Sequence, residues 1–285
     1  FLKGVKLMKG LEFLWLYKKG KRGQFMPTFS KDEKLKKWGL SSFAKPYNIA
    51  VIGANGGIGR ALIQTLSKNP AETNLAAIAR GKSVNKDFDG LTTELELENE
   101  NSIIEAADLI GGKLGSLSAV YVATGLLHES GGVQPEKSSR NLDSYALDRL
   151  FRINAIGPAL IAKHFIPLLR KDSKSVFACL SARVGSIKDN KLGGWYSYRA
   201  SKAALNMILK TLSIELSRTN QNAICVGLHP GTVDTALSKP FQSNVPPEKL
   251  FAPEQAANAL LSVVDNLKPI DTGQCFAWDG EKIPF

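Results

Sequence analysis

The chain has 285 residues, 44% of them hydrophobic and 22% charged, which excludes global disorder and a disulfide-stapled miniprotein. No apolar run reaches the ~18 residues of a membrane span. The net charge of +11 is concentrated at one end: residues 1–48 hold 12 Lys/Arg against 3 Asp/Glu, residues 49–285 hold 25 against 23, so nucleic-acid binding is not expected of the main body.

Residues 1–47 read as a basic N-terminal extension outside the fold, a solvated tail. The chain opens on Phe1, and Met26 begins a cytosolic-type start, MPTFSKDEKLKKWGL. Residues 1–25 therefore read as an upstream, non-native piece. Their apolar stretch LEFLWLY is seven residues long and lacks a small-residue cleavage site, which makes a weak secretory signal. Organellar targeting by this extension stays open.

From Asn48 strands and helices alternate. Asn48–Ile52 (NIAVI) is a continuous apolar run ending in glycine, the pattern of a strand buried on both faces. A helix is predicted from Ile58 to Leu66, a second strand over Leu75–Ala79, a third over Thr93–Leu97. Ser102–Ile110 reads as a helix and Ala119–Ala123 as a fourth strand. A long helical pattern runs from Leu142 to Leu169 and is expected to bend at Pro158. Ser175–Leu180 is a fifth strand, Tyr196–Arg218 a long helix, Ala223–Leu228 a sixth strand. Pro253–Asn266 is a helix with Pro at its start, and Gly273–Ala277 a last short strand. The alternation predicts a doubly wound α/β fold: one parallel sheet of about seven strands, helices on both faces, in a single domain spanning 48–285.

The cysteines, Cys179, Cys225 and Cys275, each sit in an apolar run and form no C-x-x-C pair. They read as buried, reduced thiols of a cytoplasmic protein, with neither a disulfide framework nor a zinc site. His128, His164 and His229 lack partners at metal spacing, so no metal is expected.

The first predicted strand runs into Gly53-Ala-Asn-Gly-Gly-Ile-Gly59. Glycines there allow a sharp turn, close approach of backbone to a pyrophosphate, and a helix N-terminus that favours anions. Gly53, Asn55, Gly56, Gly57, Ile58 and Gly59 are thus candidate cofactor contacts. Arg80 follows the second strand, where an acid would accept bonds from a ribose 2′-OH; an Arg suits a 2′-phosphate, so NADP(H) is expected over NAD(H). Lys82 is a candidate assistant.

Gly53–Gly59, Ala123-Thr124-Gly125, Asn154 in FRINAIG, Tyr198-x-x-x-Lys202 and Pro230-Gly-Thr-Val-Asp-Thr235 occur in the order found in the short-chain dehydrogenase/reductases. The stretch Gly193–Asn206 and Trp278-Asp-Gly280 resemble the C-factor and sniffer-type carbonyl reductase branch. The resemblance covers residues 48–285 and implies a Rossmann-type fold, with a small-molecule carbonyl or alcohol as substrate. It implies Tyr198 as proton donor, Lys202 as the cation that assists it and binds the nicotinamide ribose, and Asn154 as part of a proton relay. Tyr198 and Lys202 lie one turn apart on one helix face. The resemblance further implies cofactor contacts at Glu96, Leu97, Ala123, Thr124, Gly125, Pro230, Gly231, Val233 and Thr235, of which Thr235 also reads as an ordinary turn former. A catalytic serine is expected after strand five, but its position holds Ala182; Ser181, one residue away, is taken as its substitute. The resemblance implies two functions: a hydride-transferring oxidoreductase, or an NADP(H)-binding signalling or redox-sensing protein of the C-factor type with little turnover. A homodimer or homotetramer is expected through helices 142–169 and 196–218.

Overall fold

The computed structural model describes residues 39–69, 71–81 and 88–285. The reading of residues 1–25 and the role suggested for Lys82 lie outside the described residues.

β1 (Tyr47–Ile52) is buried along its whole length. It turns at Gly53 into α1 (Gly57–Leu66), then β2 (Thr73–Ala79) and β3 (Leu91–Glu94) follow. α2 (Glu100–Leu114) starts at Asn99, whose side-chain oxygen accepts the Asn101 and Ser102 N–H groups, and stops at Gly115 with φ +67°. After β4 (Ala119–Val122) a long loop leads to α3 (Ser144–Phe151) and α4 (Gly157–Phe165). β5 (Ser175–Leu180), α5 (Tyr196–Thr219) and β6 (Ala223–His229) come next. The short pair β7 (Thr232–Val233) and β8 (Leu250–Phe251) precedes α6 (Pro253–Asn266). β9 (Cys275–Ala277) and β10 (Lys282–Ile283) end the chain.

Eight strands form one sheet in the order β10-β9-β6-β5-β4-β1-β2-β3, and only the β9–β10 pair is antiparallel. α1 packs beside α6, α2 beside α4, and α4 beside α5, so both faces are covered, as the apolar strands require. Ile78, Ile161, Phe165 and Phe177 are fully buried in the core; truncating Phe165 to Ala costs about 3–5 kcal/mol.

The sheet is the doubly wound parallel one expected, with eight strands instead of about seven. The additional strand, β10, is a two-residue antiparallel return, too short to carry an apolar pattern. β3 lies earlier than predicted: the alternation in Leu95-Glu-Leu97 continues after the chain has left the sheet, with both leucines buried.

The helical pattern expected from Leu142 starts at Ser144, where Asp143 accepts the Ala146 N–H at 2.8 Å. It is interrupted by a widened turn, Arg152–Ile156, closed by a bond from Gly157 N–H to the Arg152 carbonyl five residues back. Pro158 has no N–H for the carbonyl of Asn154, four residues back, and its ring crowds that carbonyl. The distortion therefore falls before Pro158 and onto Asn154.

Among the described residues, those ahead of Asn48 pack against the sheet domain. Leu40 and Phe43 are buried. Ser41 and Ser42 hydrogen-bond the Asp265 carboxylate, and the Arg170 guanidinium donates to the carbonyls of Ala44 (2.6 Å) and Pro46 (3.4 Å). Lys174 joins Ser42 to the last carbonyls of α6.

Candidate active site

β1 is flanked by β2 on one side and β4 on the other, so the sheet's winding reverses there, the point at which such sheets bind ligands. The turns after β1 and β4 meet. Gly53 has φ +88°, and a Cβ on it would lie 2.9 Å from the Ala123 carbonyl carbon and oxygen. A Cβ on Gly59 would collide with the Gly53 carbonyl, and one on Gly57 with the Thr235 methyl. Ile58 is half-buried in the first turn of α1. No side chain caps α1 and its first turn holds no acid, which leaves the positive helix end to an outside anion.

A cavity of about 680 Å³ opens at this junction. Gly53, Asn55, Gly56, Thr124 and Gly125 line it, as do Arg80, Glu96 and Leu97. The Thr124 hydroxyl is buried and has no hydrogen-bond partner among the described residues. A side-chain-free cradle, an uncapped helix start and an orphaned hydroxyl fit the phosphates of a dinucleotide. Arg80 is exposed at the rim.

Arg149 also lines this cavity, unforeseen in the sequence. Its guanidinium pairs with Glu98 and with Glu129 (Nε to Oε2, 3.3 Å), and both acids hold its proton more firmly than usual. The partners are 51 and 20 positions away, so no local signal could have revealed them.

Asn154, Tyr198 and Lys202 come together beside Gly125. Lys202 Nζ and Asn154 Oδ1 lie 3.6 and 3.7 Å from the place of a Cβ on Gly125, and Lys202 Nζ is 5.9 Å from the centre of the Tyr198 ring. The ammonium donates to the Leu180 carbonyl at 2.8 Å. Burial lowers the Lys202 pKa to about 8 and raises that of Tyr198 above its ordinary 10. Asn154 Nδ2 donates to the Leu126 carbonyl (2.8 Å) and Ser201 Oγ (3.0 Å), and Oδ1 accepts the Leu126 N–H (2.8 Å). Both amide hydrogens are committed, so the side chain clamps the loop after β4.

The surroundings of Tyr198 are apolar: Leu127, Val133, Leu150 and Ala182 are buried with it, and Trp195, Leu237 and Phe241 pack against them. The Trp195 ring lies 6.2 Å from Tyr198 and 5.2 Å from Phe241, and Phe241 lies 5.6 Å from His128.

Ser181 does not take the place expected of it. Its hydroxyl donates to Asn206 Oδ1 at 2.6 Å and is buried, while Ala182 packs in the cluster around Tyr198. Ala182 is extended, with φ −150° and ψ +145°, so the two neighbours point to opposite sides. The site offers a methyl where a hydroxyl was expected.

Of the segment 230–235, Gly231 has φ +79° and no room for a Cβ against Phe251 and Trp278. Val233 is buried in the β7–β8 pair, and its carbonyl already accepts the Ser238 hydroxyl at 2.5 Å. Pro230, Gly231, Val233 and Thr235 do not line the cavity; the Thr235 methyl rests on Gly57 at its edge. His164 bonds Glu100 at 2.9 Å. Among the described residues no helix is long and apolar enough to cross a membrane.

The short chain dehydrogenase family profile matches residues 47–246. An uncharacterized oxidoreductase of Schizosaccharomyces pombe is 30% identical over 266 residues, covering 86% of this chain and all of its own. The C-signal protein of Myxococcus xanthus is 34% identical over 145 residues, 51% of this chain and 82% of that protein. Among solved structures, the NADPH-bound carbonyl reductase from chicken fatty liver superposes with a TM-score of 0.72 at 25% identity, covering 85% of this chain and all of that one.

Proposed function

The chain belongs to the short-chain dehydrogenase family, and from that premise we propose that it is an NADP(H)-dependent oxidoreductase interconverting a small carbonyl compound and its alcohol. The observation that carries this reading is the convergence of Lys202 Nζ and Asn154 Oδ1 at Gly125, a residue of the cavity wall, with Lys202 Nζ 5.9 Å from the centre of the Tyr198 ring. The Gly53–Gly59 turn, Thr124 and Gly125 would hold the phosphates and the ribose side. Glu96 and Leu97 would hold the adenine, and Arg80 would meet the 2′-phosphate. A nicotinamide bound there would supply the hydride.

In reduction, Tyr198 gives its phenolic proton to the carbonyl oxygen. Its burial keeps that proton in place until the oxygen becomes basic. Lys202, charged below about pH 8, stabilises the phenolate left behind. The apolar walls from Leu127 to Phe241 exclude water and suit an apolar substituent on the substrate. We place residues 39–285 in one catalytic domain. The three buried thiols favour a reducing, cytoplasmic setting. Met207 and Ile214, exposed seven residues apart on α5, and exposed Ile156 before α4 favour a homodimer or homotetramer.

The test is Tyr198→Phe. Carbonyl-dependent NADPH oxidation is expected to fall by about 10²–10⁴-fold while NADPH binding, followed by fluorescence, persists. Undiminished turnover in that variant overturns the reading. Ala182 favours a second reading, an NADP(H)-binding signalling protein with little turnover. It predicts tight NADPH binding with no oxidation across a carbonyl panel, in wild type and Tyr198→Phe alike.

A further inference from the structure

α5 carries Tyr198 in its first turn, yet its own start is poorly made. Trp195 at the cap position has φ +52°, in the left-handed region, and no capping side chain; the first turn holds no acid. Gly193 and Gly194 before it are left-handed too. Such a start leaves the first amide N–H groups of the helix without partners.

The missing cap comes from Glu136, in the loop between β4 and α3. Its main-chain carbonyl accepts the Trp195 N–H at 2.5 Å. Its carboxylate accepts the Ser197 N–H at 3.2 Å through one oxygen and the Ser197 hydroxyl through the other. Glu136 is only 4% exposed, an unusual place for a carboxylate in a loop. On the other side Arg199 donates to the carbonyls of Gly193 (3.1 Å), Gly194 (2.9 Å) and Val184 (3.2 Å). The two residues together hold the chain on both sides of Tyr198.

We propose that Glu136 is a positioning residue for the reaction. It fixes Ser197, and through it Tyr198, in height and direction beside Lys202, and holds the Trp195 ring against Tyr198 and Phe241. The argument rests on the reading of Tyr198 as proton donor. A proton can be passed only across hydrogen-bond distance, so displacing the donor by ~1 Å costs up to about 100-fold in rate. A glutamine retains both contacts, accepting from the Ser197 N–H and donating to its hydroxyl. An alanine retains neither.

The experiment uses the full chain with NADPH and 4-nitrobenzaldehyde as probe. Glu136→Ala is expected to lower kcat by about 10- to 100-fold with KM and the NADPH dissociation constant within about threefold. Glu136→Gln is expected to restore kcat to within about threefold of wild type. Ser197→Ala, which removes one contact and leaves the carboxylate, is expected to lower kcat several-fold; it decides the matter if Glu136→Ala does not fold. Amide hydrogen exchange at residues 195–198 is expected to quicken in Glu136→Ala while that of β4 and β5 stays slow. Wild-type kcat in Glu136→Ala, or in Ser197→Ala where Glu136→Ala does not fold, overturns the proposal. So does a loss of kcat that Gln does not restore. If Tyr198→Phe is fully active, or the wild type has no turnover, the underlying reading fails and the inference with it. If Tyr198→Phe is inactive and the Glu136 variants are not impaired, the inference alone fails.

Discussion

The Ser181 hydroxyl lies 2.6 Å from Asn206 Oδ1, on the side of its strand end away from Tyr198, whose neighbour is the Ala182 methyl. A carbonyl oxygen at Tyr198 therefore meets one side-chain hydroxyl donor from Ser181, Ala182 and Tyr198 instead of two. Because losing such a donor costs about 10²-fold or more in rate, Ala182→Ser is expected to raise kcat by at least about 10-fold, measured in steady state with NADPH affinity unchanged. Ser181→Ala is expected to leave kcat within about twofold. It should lower stability in urea by about 1–3 kcal/mol, because the Asn206 oxygen loses its buried donor.

Arg80 sits exposed at the cavity rim, at the end of β2. A guanidinium bound to a phosphate is a strong charge-assisted contact. Arg80→Glu is therefore expected to weaken NADPH at least about 10-fold and to leave NADH unchanged or tighter. Parallel fluorescence titrations check this; equal affinity of the wild type for both cofactors removes Arg80 from the argument.

His229, at the end of β6, is pushed down to about pKa 4, first by burial and then by the Arg183 charge. An imidazole titrates ordinarily near 6.5, so the unfolded chain binds more protons than the native one between those values. The resulting stability is full above about pH 6.5, falls as the pH drops towards 4, and is on the order of 3 kcal/mol. His229→Gln is expected to flatten the fall of the urea midpoint between pH 6.5 and 4. An unchanged slope means that the native imidazole takes up its proton freely.

The packing of residues 39–46 sets where the domain can be cut. The melting temperatures of chains starting at Gly39 and at Asn48 provide the comparison. One starting at Asn48 loses the buried Leu40 and Phe43, strips Lys174 of its Ser42 partner and leaves Asp265 without Ser41 and Ser42. Burial of two such side chains is worth roughly 3–6 kcal/mol, so a drop of several degrees or more is expected by calorimetry.

The architecture was legible because each buried strand is a continuous apolar run and each turn into the site needs glycine. Gly53 and Gly59 declare themselves, since no other residue fits those spaces. Tyr198 and Lys202 declare their shared helix face by spacing alone. Ser181 did not: the direction of a side chain at a strand end depends on the backbone just beyond it, and Ala182 remains extended. Glu136 and Arg149 were invisible for another reason. Their partners are distant in sequence, and a lone acid in a polar loop looks like any solvated one. The same holds for the segment of Leu40 and Phe43, which is tied to α6 through Ser41, Ser42 and Asp265.

β10 is two residues long, and Lys282 within it pairs with Asp271 at 3.0 Å. At the opposite border β3 is four residues long, with Thr92 and Glu94 exposed. A sheet border is a row of open N–H and C=O groups on which another chain can grow, and short, charged borders suppress that growth. Strand-by-strand extension into fibres has little to template on at either side.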